Sequence, residues 1–410
     1  MLKRRSLLVT TLILSLTVLM VPLEAAPKLT VWAWANDEVI RQWSAILSWY
    51  QEENPGAEFD VAHISGDQRV FLERLYVAMA ASAAPDLTWL DGGHVKQLAA
   101  QTLLEDVTEV LRGINFTPGE EQEVTYRGKL YAAPYHATSR GLVKLIDVFG
   151  AAGVDPHADP LFDDLVTWNQ KLSGFAADGT YTRIGFAPWF GNWDARGWIW
   201  AFGGELVAET EGGFRPTATM KNNLEAFEWI DEWASRYNRT KAPVPGGATF
   251  ERGTLAMTIA STSNAANYIR SGIEFTTSPV PHPPQGRRIT WGGGYVVGVP
   301  SGAVNKAEAM RLLSFFASSR VQARRWNEFA ALLPANWDAI RMVASRLDRS
   351  YEPLLDLLPY AVPRAPMDGE WYRALRQSED LMVAGSLSPQ EALERAQLVM
   401  SARFEEVFGK

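Results

Sequence analysis

Between Leu29 and Pro134 short apolar runs alternate with stretches whose apolar residues return at helical spacing. That alternation confines the chain to an α/β layer architecture with mostly parallel strand pairing. Leu29 to Trp34 reads as the first strand. Asn36 or Asp37 then caps a helix whose inward stripe is Val39, Trp43, Ile46, Leu47 and Tyr50, and Asn54-Pro55-Gly56 stops it. Strands over Phe59 to Ile64, Leu87 to Leu90 and Lys129 to Ala133 follow, with a helix over Gln68 to Ser82. Beyond Gly141 the pattern turns helical. Leu224, Phe227, Ile230, Ala234 and Tyr237 mark one helix and Glu308 to Phe329 another, while Ser388-Pro389-Gln390-Glu391 is a capping box opening the last. A chain of 410 residues, 47% hydrophobic, can bury the core of two or three domains without staples.

The N-terminus carries a compartment signal. Lys3, Arg4 and Arg5 precede an uncharged run from Leu7 to Val21, and Pro22-Leu23-Glu24-Ala25-Ala26 adds a helix break and small residues. This is the layout of a secretory signal peptide over residues 1–25. The run of about 15 residues is shorter than the roughly 20 that span a bilayer. Arg4-Arg5 also fits a twin-arginine signal, so the general and the twin-arginine export routes both stay open. With no cysteine to carry a lipid, the expected location is periplasmic or secreted.

Several chemistries are excluded at once. The absence of cysteine removes thiol catalysis, thiolate metal sites and disulfides. The five histidines, at 63, 94, 136, 157 and 282, form no metal-ligand spacing, and no phosphate loop, dinucleotide fingerprint or nucleophile elbow occurs. Neither metal nor cofactor is expected. A net charge of −8 gives no field for nucleic acid. No spacing singles out two carboxylates as a glycosidase pair, so the chain is not read as an enzyme, although a secreted carbohydrate-active enzyme stays as an alternative.

Aromatic placement carries the positive signal. Gly185 to Gly204 gathers Trp189, Phe190, Trp193, Trp198 and Trp200 with Asn192, Asp194 and Arg196. A site for a neutral polar ligand with flat apolar faces needs such a mixture. Rings cover the faces, while planar amide, carboxylate and guanidinium groups satisfy hydroxyls that lose water. Sugars are the obvious ligand of this kind. Core packing competes, most for Trp198 and Trp200, which sit where the chain continues as helix, and less for Trp189 and Trp193, which follow Pro188 and Gly191. In Trp291-Gly292-Gly293-Gly294-Tyr295 the glycines let a ligand approach the backbone and Tyr295 stands at the mouth of a strand, with a plain hairpin bend as the competing reading. Asp91 follows a strand and precedes Gly92-Gly93. That carboxyl-end position faces the ligand crevice in open α/β sheets, unless Asp91 is a bare loop acid.

In their order along the chain these segments resemble the extracellular solute-binding proteins that deliver sugars to ABC importers, in the branch with maltose-, trehalose- and glycerol-phosphate-binding proteins. The resemblance rests on Leu29-Thr-Val-Trp-Ala-Trp34, Ala84-Pro-Asp-Leu-Thr-Trp-Leu-Asp91, Tyr126-Arg-Gly-Lys-Leu-Tyr-Ala-Ala-Pro134, Trp200-Ala-Phe-Gly-Gly-Glu-Leu206, Phe250-Glu-Arg-Gly-Thr-Leu-Ala-Met257, Gly293-Gly-Tyr-Val-Val297 and Leu332-Leu-Pro-Ala335. It implies the type II periplasmic-binding-protein fold: two α/β lobes with a hinge and an interlobe ligand cleft. The lobes would be residues 27–137 plus 281–330 and 138–280 plus 331–410, with crossings near Ala137, Pro281 and Ala330.

It further implies a monomer that captures a mono- to oligosaccharide or sugar derivative by closure and hands it to membrane permease subunits. Carried over position by position, the implied ligand residues are Asp37, Asp67, Asp91, Trp189, Gly294, Tyr295 and Arg364; Thr138 and Asn264 stand where the family pattern has other ligand-binding residues, and Trp193 and Gly293 join the candidates from the aromatic and glycine segments above. The chain departs from the family pattern in three places. Ser261-Thr-Ser-Asn264 replaces a Gly-x-Trp, Lys144-Leu145 replaces a Tyr-Asn, and Thr138 stands where Asp is frequent. Arg364, Arg196 and Lys144 could serve an anionic group, which leaves a phosphorylated polyol such as glycerol phosphate as an alternative ligand.

Overall fold

The computed structural model describes residues 28–409 apart from 35, 65–67, 238, 240–242 and 331. The expected signal peptide and Asp67 lie outside the described residues.

Strands Lys28–Ala33, Glu58–His63 and Leu87–Asp91 pair in parallel, with helices Asp37–Glu53 and Gln68–Ala80 between them in the chain. The first helix begins where expected: Asn36 is extended and its Oδ1 accepts from Val39 N at 3.0 Å. It buries Val39, Trp43, Ile46, Leu47 and Tyr50. Trp43 sits edge-on to Trp89 and Phe316, with centroids 5.4 and 5.2 Å away. Burying an indole of this kind removes roughly 150–250 Å² from water, a gain of about 4–6 kcal/mol at about 25 cal/mol/Å².

The sheet is mixed, not mostly parallel. Strand Tyr295–Gly298 lies antiparallel to Leu87–Asp91 and to Ala133–Pro134 at the edge. It arrives from a second body and not through a helical crossover, so the direction rule for βαβ units does not bind it. Helices cover both faces, one apolar cluster centred on Trp43 and Phe316, the other on Phe71 and Leu98.

The second body is built on an antiparallel sheet in the order Met257–Ser261, Arg140–Leu145, Phe275–Ser278. Helices Ala195–Ala201, Lys221–Tyr237, Asp368–Val383 and Pro389–Phe408 pack into its apolar cluster. The last of these opens with the expected capping box: Glu391 Oε2 accepts from Ser388 N at 2.8 Å, and Ser388 Oγ accepts from Glu391 N at 3.3 Å. Ser388→Ala should lower the urea unfolding midpoint by the equivalent of about 1 kcal/mol. An unchanged midpoint would mean the helix is held by packing alone.

Four further expectations are corrected. Glu308 to Phe329 is two helices, Lys306–Ala317 and Ser319–Phe329, because Ser318 is extended (φ −61, ψ 144) and caps the second one. Lys129 to Ala133 is not one strand. Lys129–Leu130 forms a hairpin with Thr125–Tyr126 through Arg127 and Gly128, both at positive φ, and the sheet strand is Ala133–Pro134. Residues 281–291 pack with the second body and not the first: Ile289 and Trp291 lie in its apolar cluster, Arg287 N donates to Ala201 O, and Thr290 Oγ1 accepts from Arg140 N. Ala330 is the left-handed cap of helix Ser319–Phe329, and the chain passes between the bodies later, at 333–336.

Three connecting segments thus run side by side. Tyr135 N donates to Tyr295 O at 2.9 Å, Ala137 N to Leu333 O at 3.1 Å, and Thr117 N to Ala335 O at 3.0 Å.

Candidate functional site

The carboxyl edge of the first sheet assembles Trp34, Asp37, Asp91 and Tyr295. Asp91 and Tyr295 are direct partners across neighbouring strands, and the Tyr295 ring stands edge-on to Trp34 at 6.0 Å, with Trp89 and His136 behind it. Burial and the Asp91 charge push the Tyr295 hydroxyl pKa up. Asp37 is the exposed first residue of its helix, where a carboxylate suits the positive end of the dipole.

Beside this edge Arg364 crosses from the second body. Its Nη1 lies 2.6 Å from Asp91 Oδ1, its Nε donates to Glu123 Oε1 at 2.7 Å and its Nη2 to Gly294 O at 2.8 Å. Burial opposes a charged guanidinium, but Asp91, Glu123 and Asp368 outweigh it and hold the Arg364 pKa well up. Burial likewise works against Asp91, yet Arg364 keeps its carboxyl below the usual range. Arg196 is paired with Asp194 and Asp368, both at 2.6 Å. The indole of Trp291 is sandwiched between Arg140 and Arg196, whose guanidinium carbons lie 4.2 and 4.3 Å from its centroid.

Helix Pro118–Val124 holds the connecting segments. Glu120 Oε1 accepts from Thr138 N at 3.0 Å and from Gly293 N at 3.1 Å, tying two of the segments together, and its other oxygen takes the Thr117 hydroxyl. Glu123 Oε2 accepts from Gly294 N at 3.0 Å. Burial pushes the Glu120 carboxyl up to about 7 in spite of those donors, and the neighbouring Glu123 charge adds to the rise. Gly293 (φ 87) must be glycine, since a Cβ there would collide with the Glu123 carboxylate.

On the second body the facing edge carries Arg140, Asn192 and Asn264. Arg140 Nε donates to Asn192 Oδ1 and its Nη1 to Trp291 O. Asn264 closes a capping box with Ser261.

Among the sequence candidates, Asp37, Asp91, Tyr295 and Arg364 come together around the first-sheet edge, and Asn264 lies on the opposing edge. Trp193 is a correction: it is 1% exposed, covered by Gly197 and edge-on to Trp198 and Trp291, because the Asp194 cap turns the following helix back over it. Thr138 is also buried. Its N–H goes to Glu120 and its hydroxyl shares a 3.1 Å hydrogen bond with that of Thr262, so it braces a connecting segment. The amides of Gly293 and Gly294 are likewise taken by Glu120 and Glu123. Trp189 is half-buried, one side against the core.

Sequence reasoning missed Glu120, Glu123, Arg140 and Asp368. Thr117-Pro118-Gly119-Glu120 carries a helix-start signature that marks the helix, but nothing local says that Glu120 reaches residues 138 and 293.

The sequence matches the family of bacterial extracellular solute-binding proteins over residues 30–323. Among solved structures it resembles CpMnBP1 with mannotriose bound, at 20% identity and a TM-score of 0.75, over 91% of this chain and 99% of that one. It resembles an ABC transporter solute-binding protein from Thermotoga lettingae TMO bound with α-D-tagatose at 20% identity and a TM-score of 0.68, over 93% and 100% of the two chains. A maltose/maltodextrin-binding domain from Bdellovibrio bacteriovorus bound to maltotriose matches at 18% identity and a TM-score of 0.71, over 92% and 100%. These likenesses establish the two-lobe α/β fold, and the family match spans well over half of the sequence. The chain belongs to the bacterial extracellular solute-binding proteins.

Proposed function

We propose that the protein is the sugar-binding subunit of an ABC importer, exported by its N-terminal signal peptide and working as a monomer. On this reading the lobes are residues 27–137 plus 292–332 and 138–291 plus 337–410, with the third crossing at 333–336. A neutral saccharide bridges them, the three connecting segments flex, and the permease reads the closed shape. The ligand binds the closed form better than the open one, which is all that population shift requires. No bond is made or broken.

The observation that carries the reading is that Arg196 and Arg364 are already neutralised by carboxylates where the lobes meet. Arg140, Arg196 and Arg364 are each bonded to protein acceptors, and Lys144 Nζ donates to Ala158 O at 2.7 Å. The cations that would have served a phosphate are therefore engaged, which argues against a phosphorylated polyol. The half-exposed rings of Trp34 and Tyr295, the Asp37 carboxylate and the side chains of Asn192 and Asn264 suit a ligand with flat apolar faces rimmed by hydroxyls. The structural relatives with mannotriose, tagatose and maltotriose bound support the same ligand class. For a glycosidase, Glu120 and Glu123 are the wrong way round, facing the protein's own backbone amides.

Tryptophan emission tests the proposal. A neutral sugar from a panel of saccharides and sugar phosphates should shift the emission saturably, and Tyr295→Ala should weaken that binding by about 1–2 kcal/mol, roughly 5- to 30-fold. A panel that moves neither emission nor melting temperature would overturn it, as would turnover of any glycan.

A further inference from the structure

One carboxyl is joined to all three of the segments that connect the lobes. Glu120 sits on helix Pro118–Val124 and is 1% exposed. Its Oε1 accepts from Thr138 N at 3.0 Å in the first segment and from Gly293 N at 3.1 Å in the second. Its Oε2 takes the Thr117 hydroxyl, whose oxygen lies 3.3 Å from Ala335 O in the third. Backbone closes in around it: a Cβ on Gly292 would lie 3.4 Å from Oε1, and one on Gly119 would collide with Ala361.

The arrangement suits the neutral acid at least as well as the ion. A proton on Oε2 is donated to the Thr117 oxygen, and the Thr117 hydroxyl turns its own proton to Ala335 O, so no bond to a segment is lost. The ion has the same neighbours but keeps a whole charge out of water, a cost that falls on the carboxylate alone. For that reason the carboxyl is pushed up to about 7. When the lobes flex, the three segments shift against one another, a donor is drawn off and water reaches the carboxyl. Hydration favours the ion and not the neutral acid. The carboxyl is therefore the weaker acid in the arrangement of this structure, so protons favour this arrangement, and it loses ground as pH rises through about 7.

Its ionisable neighbours are joined to the segments less fully. Glu121 on the same helix is exposed, and Glu123 is held by Arg364 and reaches only the second segment, at Gly294 N. His136, in the first segment, is lowered to about 3 by burial and stays neutral across this range. Lys96 on helix Val95–Ala100 is a cation that burial weakens. His94, Tyr126 and Tyr360 are the other titratable groups on the elements packed against the helix.

We propose that Glu120 makes the hinge pH-sensitive: protonated, it pins the three connecting segments as in this structure, and ionised, it lets them part, so that protons as well as ligand set the balance between lobe arrangements. The inference rests on the flexing of those segments and not on what the cleft binds.

The test needs no ligand. The chain has no cysteine, so Val77→Cys and Leu398→Cys, at positions 68% and 74% exposed with one on each lobe, accept a pair of dyes, and single-molecule energy transfer reads the separation of the lobes in solution. From pH 5.5 to 8.5 the population at the separation of this structure should fall at least threefold relative to all others. Glu120→Gln, which cannot ionise, should keep the pH 5.5 distribution throughout, whereas Glu121→Gln should follow the parent. Melting curves check that both variants fold. A parent whose separation does not respond to pH overturns the inference, and so does a folded Glu120→Gln protein that responds as the parent does. Because no sugar is present, either result leaves the sugar reading where the emission panel puts it, and a panel without any hit leaves the hinge result standing.

Discussion

Arg364→Met should destabilise the protein by about 3–5 kcal/mol at pH 8, because it takes the guanidinium away from Asp91 and Glu123, which stay buried with only backbone N–H donors at hand. Arg364 has 10% of its side chain exposed and Glu123 has 2%, so water cannot replace the lost cation. Asp91 and Glu123 are then left facing each other, while Asp368 keeps Arg196. The sign with pH follows from that. Burial already holds the Glu123 carboxyl above its ordinary value with Arg364 in place; without Arg364 it rises further and Asp91 rises with it, and a raised acid contributes stability at low pH that is lost as pH rises. The penalty should therefore shrink as pH falls from 8 to 5. Arg364→Lys should lose less, since an ammonium keeps the charge but cannot reach Asp91, Glu123 and Gly294 O together. Urea titrations followed by tryptophan emission read all three. A shift worth less than about 1 kcal/mol at pH 8 would show that the network adds little to stability.

Glu120→Gln should stabilise the protein above pH 7 by about 3 kcal/mol and have no effect below about pH 4.5. Burial raises the Glu120 carboxyl from 4.5 to about 7, and each pKa unit is worth about 1.4 kcal/mol. Because the folded value is the higher one, the contribution is present below pH 4.5 and lost as pH rises through 7. A glutamine oxygen can still accept from Thr138 N and Gly293 N. Its NH₂ can donate to the Thr117 hydroxyl, which already lies 3.3 Å from Ala335 O and can turn its own proton there. Wild-type stability alone would hide the effect. His136, lowered to about 3 by burial and then by the charges of Arg325, Arg364 and Arg140, contributes stability that is present above pH 6.5 and lost as pH falls toward 3. The two slopes oppose each other between pH 4.5 and 6.5, so the difference between the glutamine variant and its parent is the quantity to measure. A difference that does not change with pH would mean that folding leaves the Glu120 pKa where it is in the unfolded chain.

Much of the fold was legible because its signals are local. Asn36 caps its helix, Asp91 ends its strand, Tyr295 begins one, and Ser388 with Glu391 closes a box, each decided by residues a few positions apart. Where the reading failed, the deciding contact was distant. Trp193 resembles an exposed platform until the helix after Asp194 folds over it, and the Gly292–Gly294 run resembles a ligand loop until Glu120 and Glu123 arrive from far upstream to take its amides. Ser318 is the exception. A lone serine in a helical pattern could have been read as a cap, but an uninterrupted apolar period outweighed it.

What the sequence determined by itself was the alternation that commits the chain to α/β layers, the caps and turns that punctuate it, and a stock of aromatic and amide groups suited to a sugar. These follow from backbone preferences and from a hydrophobic period that any short window contains. Which of those groups stay open to a ligand was decided only in three dimensions. Burial and pairing depend on partners hundreds of residues away, as when Arg364 meets Asp91 and Glu123, and no window along the chain holds both sides of that contact.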